Sequence, residues 1–482
     1  MFVVVLAAVG FMSCGGKNDV KDPQKEEPKK EDVLPGNDYV VYEANEKLFA
    51  ATDALKAVDA RLDEIEALGV NVLWLMPIHP VGVEKTANSP YCVRDYKAVH
   101  PAFGTLDDLR TLVQHAHDRK MKVILDWIAN HTAWDNAWVK DHPDWYTGPM
   151  TNDEKAWQDV TFLNYSKPEV RAAMIDALTY WVKEADIDGY RCDYAQGVPD
   201  DFWAAAIKAI RAINPNAIML AETSRLQLFE AGFDWMYSWN YLSQIQRVMN
   251  GGTTLAKLYS THDSEMSSTP EGKQRMRYIT NHDACSEQAN QDLFINTNGM
   301  LSAACLTYFL GGIPLIYSSQ EVGYLSKINF FTTNVMNWNS NPDYQAKFQA
   351  LMKAYKSTNT LRGGRMTRYT ANADVACFTY SSTAGTLLVI ANTKNASRTV
   401  AIPESLRGKT LTNMLTGAEQ TLSDELSVPA FGYFVLSTEK MPSAIIPVQR
   451  EAVDGEPVKR LVGSSLIIEN AGVQYSVLGQ KL

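Results

Sequence analysis

Three carboxylates stand where apolar runs of this 482-residue chain give out: Asp193 closes "IDGYRCD", Glu222 closes "AIMLAE" and Asp283 lies in "RYITNHD". Residues of this type in pairs cleave acetals between sugars. One donates a proton to the leaving oxygen, and the other works from the opposite face of the ring, as a nucleophile in the retaining version. Three is one more than that chemistry needs. The third can bind hydroxyls, strain the ring and raise the acid's pKa by like-charge repulsion.

Arg191 stands two residues before Asp193. On an extended strand, side chains at i and i+2 point the same way. The guanidinium is therefore expected beside Asp193, lowering its pKa and holding it ionised as a nucleophile requires. Glu222 follows "IMLA" and has no cation adjacent in sequence, an apolar setting that suits a protonated acid. His131 in "ANH" and His282 in "TNHD" each sit beside an asparagine. Neutral imidazoles there would hydrogen-bond sugar hydroxyls, and no usual ligand spacing pairs them as metal ligands. Pyranose C–H faces also need flat apolar surfaces, and Tyr91 in "SPYCVRDY" is the candidate platform. Trp134, Trp138, Trp145 and Trp157 follow His131; each is either a packing residue or the lining of a more distant subsite.

These side chains can meet only if the elements carrying them converge. Eight short apolar runs, "YVVYEAN", "NVLWLMPI", "MKVILDWIANH", "IDGYRCD", "AIMLAE", "FDWMYSW", "RYITNHD" and "IPLIYSSQE", alternate with longer stretches. Among the latter, "ALKAVDARLDEIEALG", "DDLRTLVQHAHDRKM" and "KPEVRAAMIDALTYWVKEA" have helical spacing. Eight strand–helix units predict an α/β fold of the (β/α)8 (TIM) barrel type over residues 38–360, whose strand ends share one face. A short inserted B domain is expected at about 132–164. From 361 to 438 the runs are strands without helices, which predicts a C-terminal antiparallel β domain. The tail, 439–482, ends in a stretch patterned as one or two hairpins.

The net charge of −10 excludes nucleic acid as a partner, since no basic excess is available to displace counterions. The run "MFVVVLAAVGFMSCGG" is too short to span a bilayer and ends at small residues and a cysteine. It resembles a bacterial lipoprotein signal over residues 1–14 with Cys14 lipidated, the alternative being an ordinary secretory signal cut near Ser13. Either reading places the chain outside the cytoplasm, anchored in the periplasm or at the cell surface by lipid, or else secreted. Residues 15–37 are charged and proline-containing and read as a disordered tether. None of the six cysteines forms a CxxC pair, so neither zinc nor a disulfide framework is expected.

The segments "DWIANH", "GYRCD", the Glu222 strand end and "TNHD" resemble, in this order, the four signature regions of glycoside hydrolase family 13, the α-amylase family; "SPYCVRDYKAVHPAFGT" and "GIPLIYSSQE" resemble further stretches. The resemblance runs from about Tyr39 to Thr438. It implies a retaining hydrolase of α-1,4 links in starch-like glucans or maltooligosaccharides. Asp193 would be the nucleophile, Glu222 the general acid/base and Asp283 the transition-state stabiliser. Tyr91, His131, Arg191 and His282 would shape the subsite of the attacked sugar, with Asp126 in support. A transglycosylase on the same fold, or a non-catalytic glucan-binding surface protein, are the alternatives. Many members bind calcium near Asn130, but Gly197 and Phe162 stand here where a histidine and an aspartate serve that site, and Gln196 stands where a lysine binds a sugar downstream of the cut. No cofactor, and no calcium at that place, is therefore expected.

Overall fold

The computed structural model describes residues 38–148, 157–370 and 372–440, and the backbone of 458–462, 465–470 and 473–476. The leader, with Cys14, and the tether lie outside the described residues.

Eight parallel strands close into a barrel. In chain order they are Val41–Ala44, Val72–Leu75, Lys122–Ile128, Gly189–Asp193, Ile218–Ala221, Trp235–Met236, Gln274–Arg277 and Ile313–Tyr317. Closure is made by the first strand, which pairs with both the second and the eighth. Most strand residues are buried on both faces, as a helix-wrapped parallel sheet requires. That double burial is why the strands read as continuous apolar runs. Trp74, Trp127, Trp181 and Trp203 are the largest fully buried aliphatic or aromatic bodies of this core. Gly189 opens the fourth strand at φ +142°, and a Cβ there would lie 2.0 Å from the Ile218 carbonyl oxygen of the neighbouring strand. Only glycine permits that approach.

Two elements depart from the sequence reading. The "ALKAVDARLDEIEALG" stretch forms two helices, Ala54–Asp59 and Leu62–Ala67, separated by a tight turn in which the Arg61 N–H bonds the Val58 carbonyl. The seventh strand ends at Arg277, before "YITNHD". Asn281 caps a short helix, His282–Glu287, its side chain accepting the Ala284 N–H at 2.9 Å. A cap satisfies an amide that a helix start leaves orphaned, so His282 and Asp283 sit in a first helical turn rather than on a strand end.

After the third strand the chain makes a small antiparallel sheet of His131–Ala133, Tyr146–Gly148 and Val160–Leu163. Beyond the barrel, a six-stranded antiparallel sheet and a two-stranded one lie between Arg365 and Ser437. Strands 458–462, 465–470 and 473–476 form a three-stranded antiparallel meander. The five cysteines among the described residues are buried and unpaired.

Candidate active site

Arg191 is wholly buried at the C-terminal end of the fourth strand. Its Nη1 donates to Asp126 Oδ1 (2.8 Å) and Asp193 Oδ1 (3.0 Å), and its Nε to the Tyr237 hydroxyl (3.1 Å). Nη2 lies 3.0 Å from Glu222 Oε2, an ion-pair contact without hydrogen-bond alignment. The guanidinium also faces the rings of Trp74, Tyr91 and Tyr237 at 5.2 to 5.5 Å. One cation thus serves three carboxylates from the third, fourth and fifth strands. Glu222 does have a cation beside it, contrary to the reading of its sequence neighbours. The barrel brings one across from the adjacent strand.

Burial changes the electrostatic outcome. Asp193 is pushed up to about 6, because desolvation outweighs the pull of Arg191 and because Asp126 and Asp283 repel its charge. Arg191 moderates that rise but does not lower Asp193 below the ordinary carboxylate range, as the sequence suggested. Glu222 rises further, to about 7, by desolvation against Arg191, with Asp193 and Asp283 adding to the rise. Asp126 is raised to about 6 by burial, opposed by Arg191 and His282. Asp193 and Glu222 thus rise together and keep about the separation of an ordinary aspartate and glutamate. The backbone reinforces the difference in placement. Tyr194 adopts a left-handed φ of 39°, uncommon for a non-glycine residue, and directs its N–H onto Glu222 Oε2 at 2.8 Å.

The second cluster centres on His282. Its Nδ1 bonds Glu43 Oε1 at the end of the first strand. Its Nε2 lies 2.7 Å from the Tyr91 hydroxyl and 3.3 Å from Asp283 Oδ2. Burial pulls the ring's pKa down, but Asp283 and Glu43 overcome it and raise it to about 9. His282 is therefore an imidazolium at neutral pH, not the neutral donor expected. Tyr91 stacks on it (5.3 Å, 22°) and donates a hydrogen bond from its hydroxyl to Asp126 Oδ2 at 3.1 Å. His131 is the neutral one, pushed down to about 4 by burial. Asn130 donates to its Nδ1 (3.2 Å), and its Nε2 reaches the Tyr91 carbonyl (3.1 Å), so what it holds is the Tyr91 platform.

Asp193, Glu222, Asp283, Tyr91, His131 and His282 all line one cleft of about 350 Å³. Asp126 and Arg191 lie beneath it. Of the four tryptophans, only Trp157 joins that lining. Trp138 and Trp145 pack on each other at 5.5 Å, and Trp134 donates to the Gln158 carbonyl. Glu43, Tyr194, Phe330 and Phe331 were not singled out from the sequence. For Glu43 the signal was present, a lone carboxylate in the apolar run "YVVYEAN".

Asn130 is the residue that the resemblance would place at a calcium site, and its surroundings are as follows. The Asn130 amide turns onto His131, Phe162 offers a ring stacked on Trp157 (6.1 Å, 19°), and a Cβ at Gly197 would lie 2.6 Å from Asn130 Oδ1. Calcium wants six to eight oxygens. Among the described residues no group of three His, Cys, Asp or Glu side chains is placed to hold a metal.

The profile of the α-amylase catalytic domain matches residues 45–162 and 154–374. The chain is 26% identical to a cyclomaltodextrinase of Geobacillus thermopakistaniensis over 428 residues, 80% of this chain and 70% of that protein. It is 29% identical to an α-amylase of Haloarcula japonica over 59% of this chain, but spans only 44% of that protein. Among solved structures, an α-amylase from Lactobacillus plantarum superposes with a TM-score of 0.75 at 27% identity, covering 84% of this chain and 99% of the other. A maltogenic α-amylase from Thermotoga neapolitana gives 0.74 at 25% identity, covering 83% and 98%.

The imidazolium depends on Glu43. Replacing it by glutamine removes one of the two carboxylates that raise His282, and the His282 pKa should fall below 9 toward its ordinary value. In the wild type this raised pKa contributes stability that is complete below about 6.5 and lost as pH rises through about 9. Thermal unfolding followed from pH 6 to 10 should thus show an alkaline loss that is smaller and complete at lower pH in Glu43→Gln. Superimposable pH profiles would show that Glu43 does not set the charge of His282.

Proposed function

The chain belongs to the α-amylase family of glycoside hydrolases, and we propose that it cleaves α-1,4 links of starch-like glucans or maltooligosaccharides with retention of configuration. The observation that carries this reading is the convergence of Asp193, Glu222 and Asp283 on one cleft, with the Arg191 guanidinium in contact with both Asp193 and Glu222.

In the proposed reaction the sugar to be attacked lies over Tyr91. Asp193, ionised beside Arg191, attacks the anomeric carbon while protonated Glu222 gives its proton to the leaving oxygen. Glu222 then takes a proton from water as the glycosyl–Asp193 ester is hydrolysed. Asp283, with the imidazolium of His282 at 3.3 Å, is placed to hold ring hydroxyls that tighten in the transition state. Arg191 and Asp126 keep the floor of the site in register. No step is routed through calcium. When a sugar hydroxyl replaces water in the second half, the same intermediate gives transglycosylation.

The leader "MFVVVLAAVGFMSCGG" supports an extracytoplasmic site of action with a lipid on Cys14. Cys14→Ser should move the protein from the membrane fraction to the soluble one. An unchanged membrane fraction would remove the anchor from the account.

Since Asp193 must be ionised and Glu222 protonated, kcat/KM on maltoheptaose should follow a bell with limbs near pH 6 and 7, values that belong to the coupled pair. Glu222→Gln should lower turnover by about 10³-fold and remove the alkaline limb while leaving glucan binding intact. Wild type and variant giving the same product chromatogram would exclude this reaction. Products longer than the substrate would favour transfer over hydrolysis, and a chelator should leave the rate unchanged.

A further inference from the structure

The cleft has two aromatic flanks of different character. On one, Phe330 stands edge-on to His282 (5.2 Å, 80°) and to Tyr91 (5.9 Å, 88°), and Phe331 packs edge-on against Phe330 (4.7 Å, 83°). Both rings line the cleft. The carbonyl of Phe331 accepts two hydrogen bonds, from Asn88 Nδ2 (2.6 Å) and from Lys47 Nζ (3.1 Å). Asn88 belongs to the loop after the second strand, and Lys47 to the 3-10 turn Glu46–Leu48 after the first. The seam continues where Asn334 and Met336 donate their N–H groups to the carbonyls of Lys47 and Leu48 (3.1 and 2.8 Å). The segment after the eighth strand is thereby fastened across the loops of the first two. Lys47, only 8% exposed, is a buried donor held in place for this contact.

The other flank carries a partly exposed ring. Trp157, 38% exposed, meets Tyr194 at 5.3 Å, and the Tyr194 N–H is the group that bonds Glu222. A general acid stands on the leaving-group side of the bond that it protonates. The flank of Glu222, Tyr194 and Trp157 is therefore the leaving-group side. The flank of Tyr91, His282 and the two phenylalanines receives the sugar that becomes attached to Asp193 and whatever precedes it in the chain.

We propose that the Phe330–Phe331 wall closes this cleft beyond the attacked sugar's side, so that the enzyme takes α-glucan chains by their non-reducing ends and releases short units instead of cutting within chains. The inference rests on the roles proposed for Asp193 and Glu222. A chain interior would have to continue past the platform through two rings that offer sugar hydroxyls no hydrogen-bonding group. The Phe331 carbonyl is already occupied by two donors.

The test compares maltoheptaose with maltoheptaose whose non-reducing-end hydroxyls are chemically blocked, following both by chromatography. Wild type should cut the free substrate at least about tenfold faster in kcat/KM than the blocked one. Phe331→Ala should narrow that ratio by opening the wall. Asn88→Gly should narrow it as well, since it removes one latch donor and suits the left-handed φ of 60° at that position. Equal rates on both substrates in the wild type would overturn the proposal, as would an unchanged ratio in both variants. Cleavage of neither substrate would overturn the proposed reaction itself, and this inference with it.

Discussion

A single guanidinium, Arg191, is removed entirely from solvent and shared among Asp126, Asp193 and Glu222. Burying a charge is costly unless it is paired and hydrogen-bonded. Here the pairing requires the third, fourth and fifth strands to lie side by side at one depth. The parallel register supplies this: Asp126 lies opposite Arg191, and Arg191 opposite Leu220, two residues short of Glu222. The register of these three strands and the chemistry of the barrel's mouth are in this sense one constraint. A carboxylate withdrawn from the set would leave the cation under-paired, and the cation withdrawn would leave three buried anions repelling one another.

The same burial lifts the acid and the nucleophile together, so that they keep about the separation of an ordinary glutamate and aspartate. Both touch Arg191, and both are raised by desolvation. Their contacts nonetheless differ. Asp193 receives a well-aligned bond from Nη1, whereas Glu222 has a contact to Nη2 without alignment and a backbone amide from Tyr194. The strained φ at Tyr194 belongs to this arrangement, since the residue after Asp193 must turn back toward the fifth strand. Around it, His282 and His131 divide their labour by charge. One is a cation clamped between Glu43 and Asp283, and the other is a neutral brace under Tyr91.

Much of this was legible in the sequence because the strands are buried on both sides and so read as unbroken apolar runs, with the chemistry collected where each run ends. The i, i+2 spacing of Arg191 and Asp193 correctly placed the pair on one face. It could not reveal the balance between pairing and desolvation, which depends on every neighbouring strand, and so it gave the wrong direction for Asp193. Glu43 and His282 are 239 residues apart, and no local pattern joins them. The Phe330–Phe331 wall was equally silent, since its latch is a backbone carbonyl met by side chains from the far end of the barrel domain. Asn281 was read as a strand end because its capping role depends on where the seventh strand stops, and the sequence "RYITNHD" does not mark that stop.

The central claim is that Asp193, and neither of the other two carboxylates, forms the covalent bond to sugar. Its most direct test is to let the Glu222→Gln protein react with an α-glucosyl fluoride, quench in acid, digest and locate the adduct by mass spectrometry. An activated leaving group needs no acid to enter the first step, while the missing base slows release of the intermediate. The account predicts one hexosyl unit on the peptide carrying Asp193, absent when Asp193 is also replaced by asparagine. A hexosyl group on Asp283, or turnover of the fluoride with no adduct and no dependence on Asp193, would contradict it.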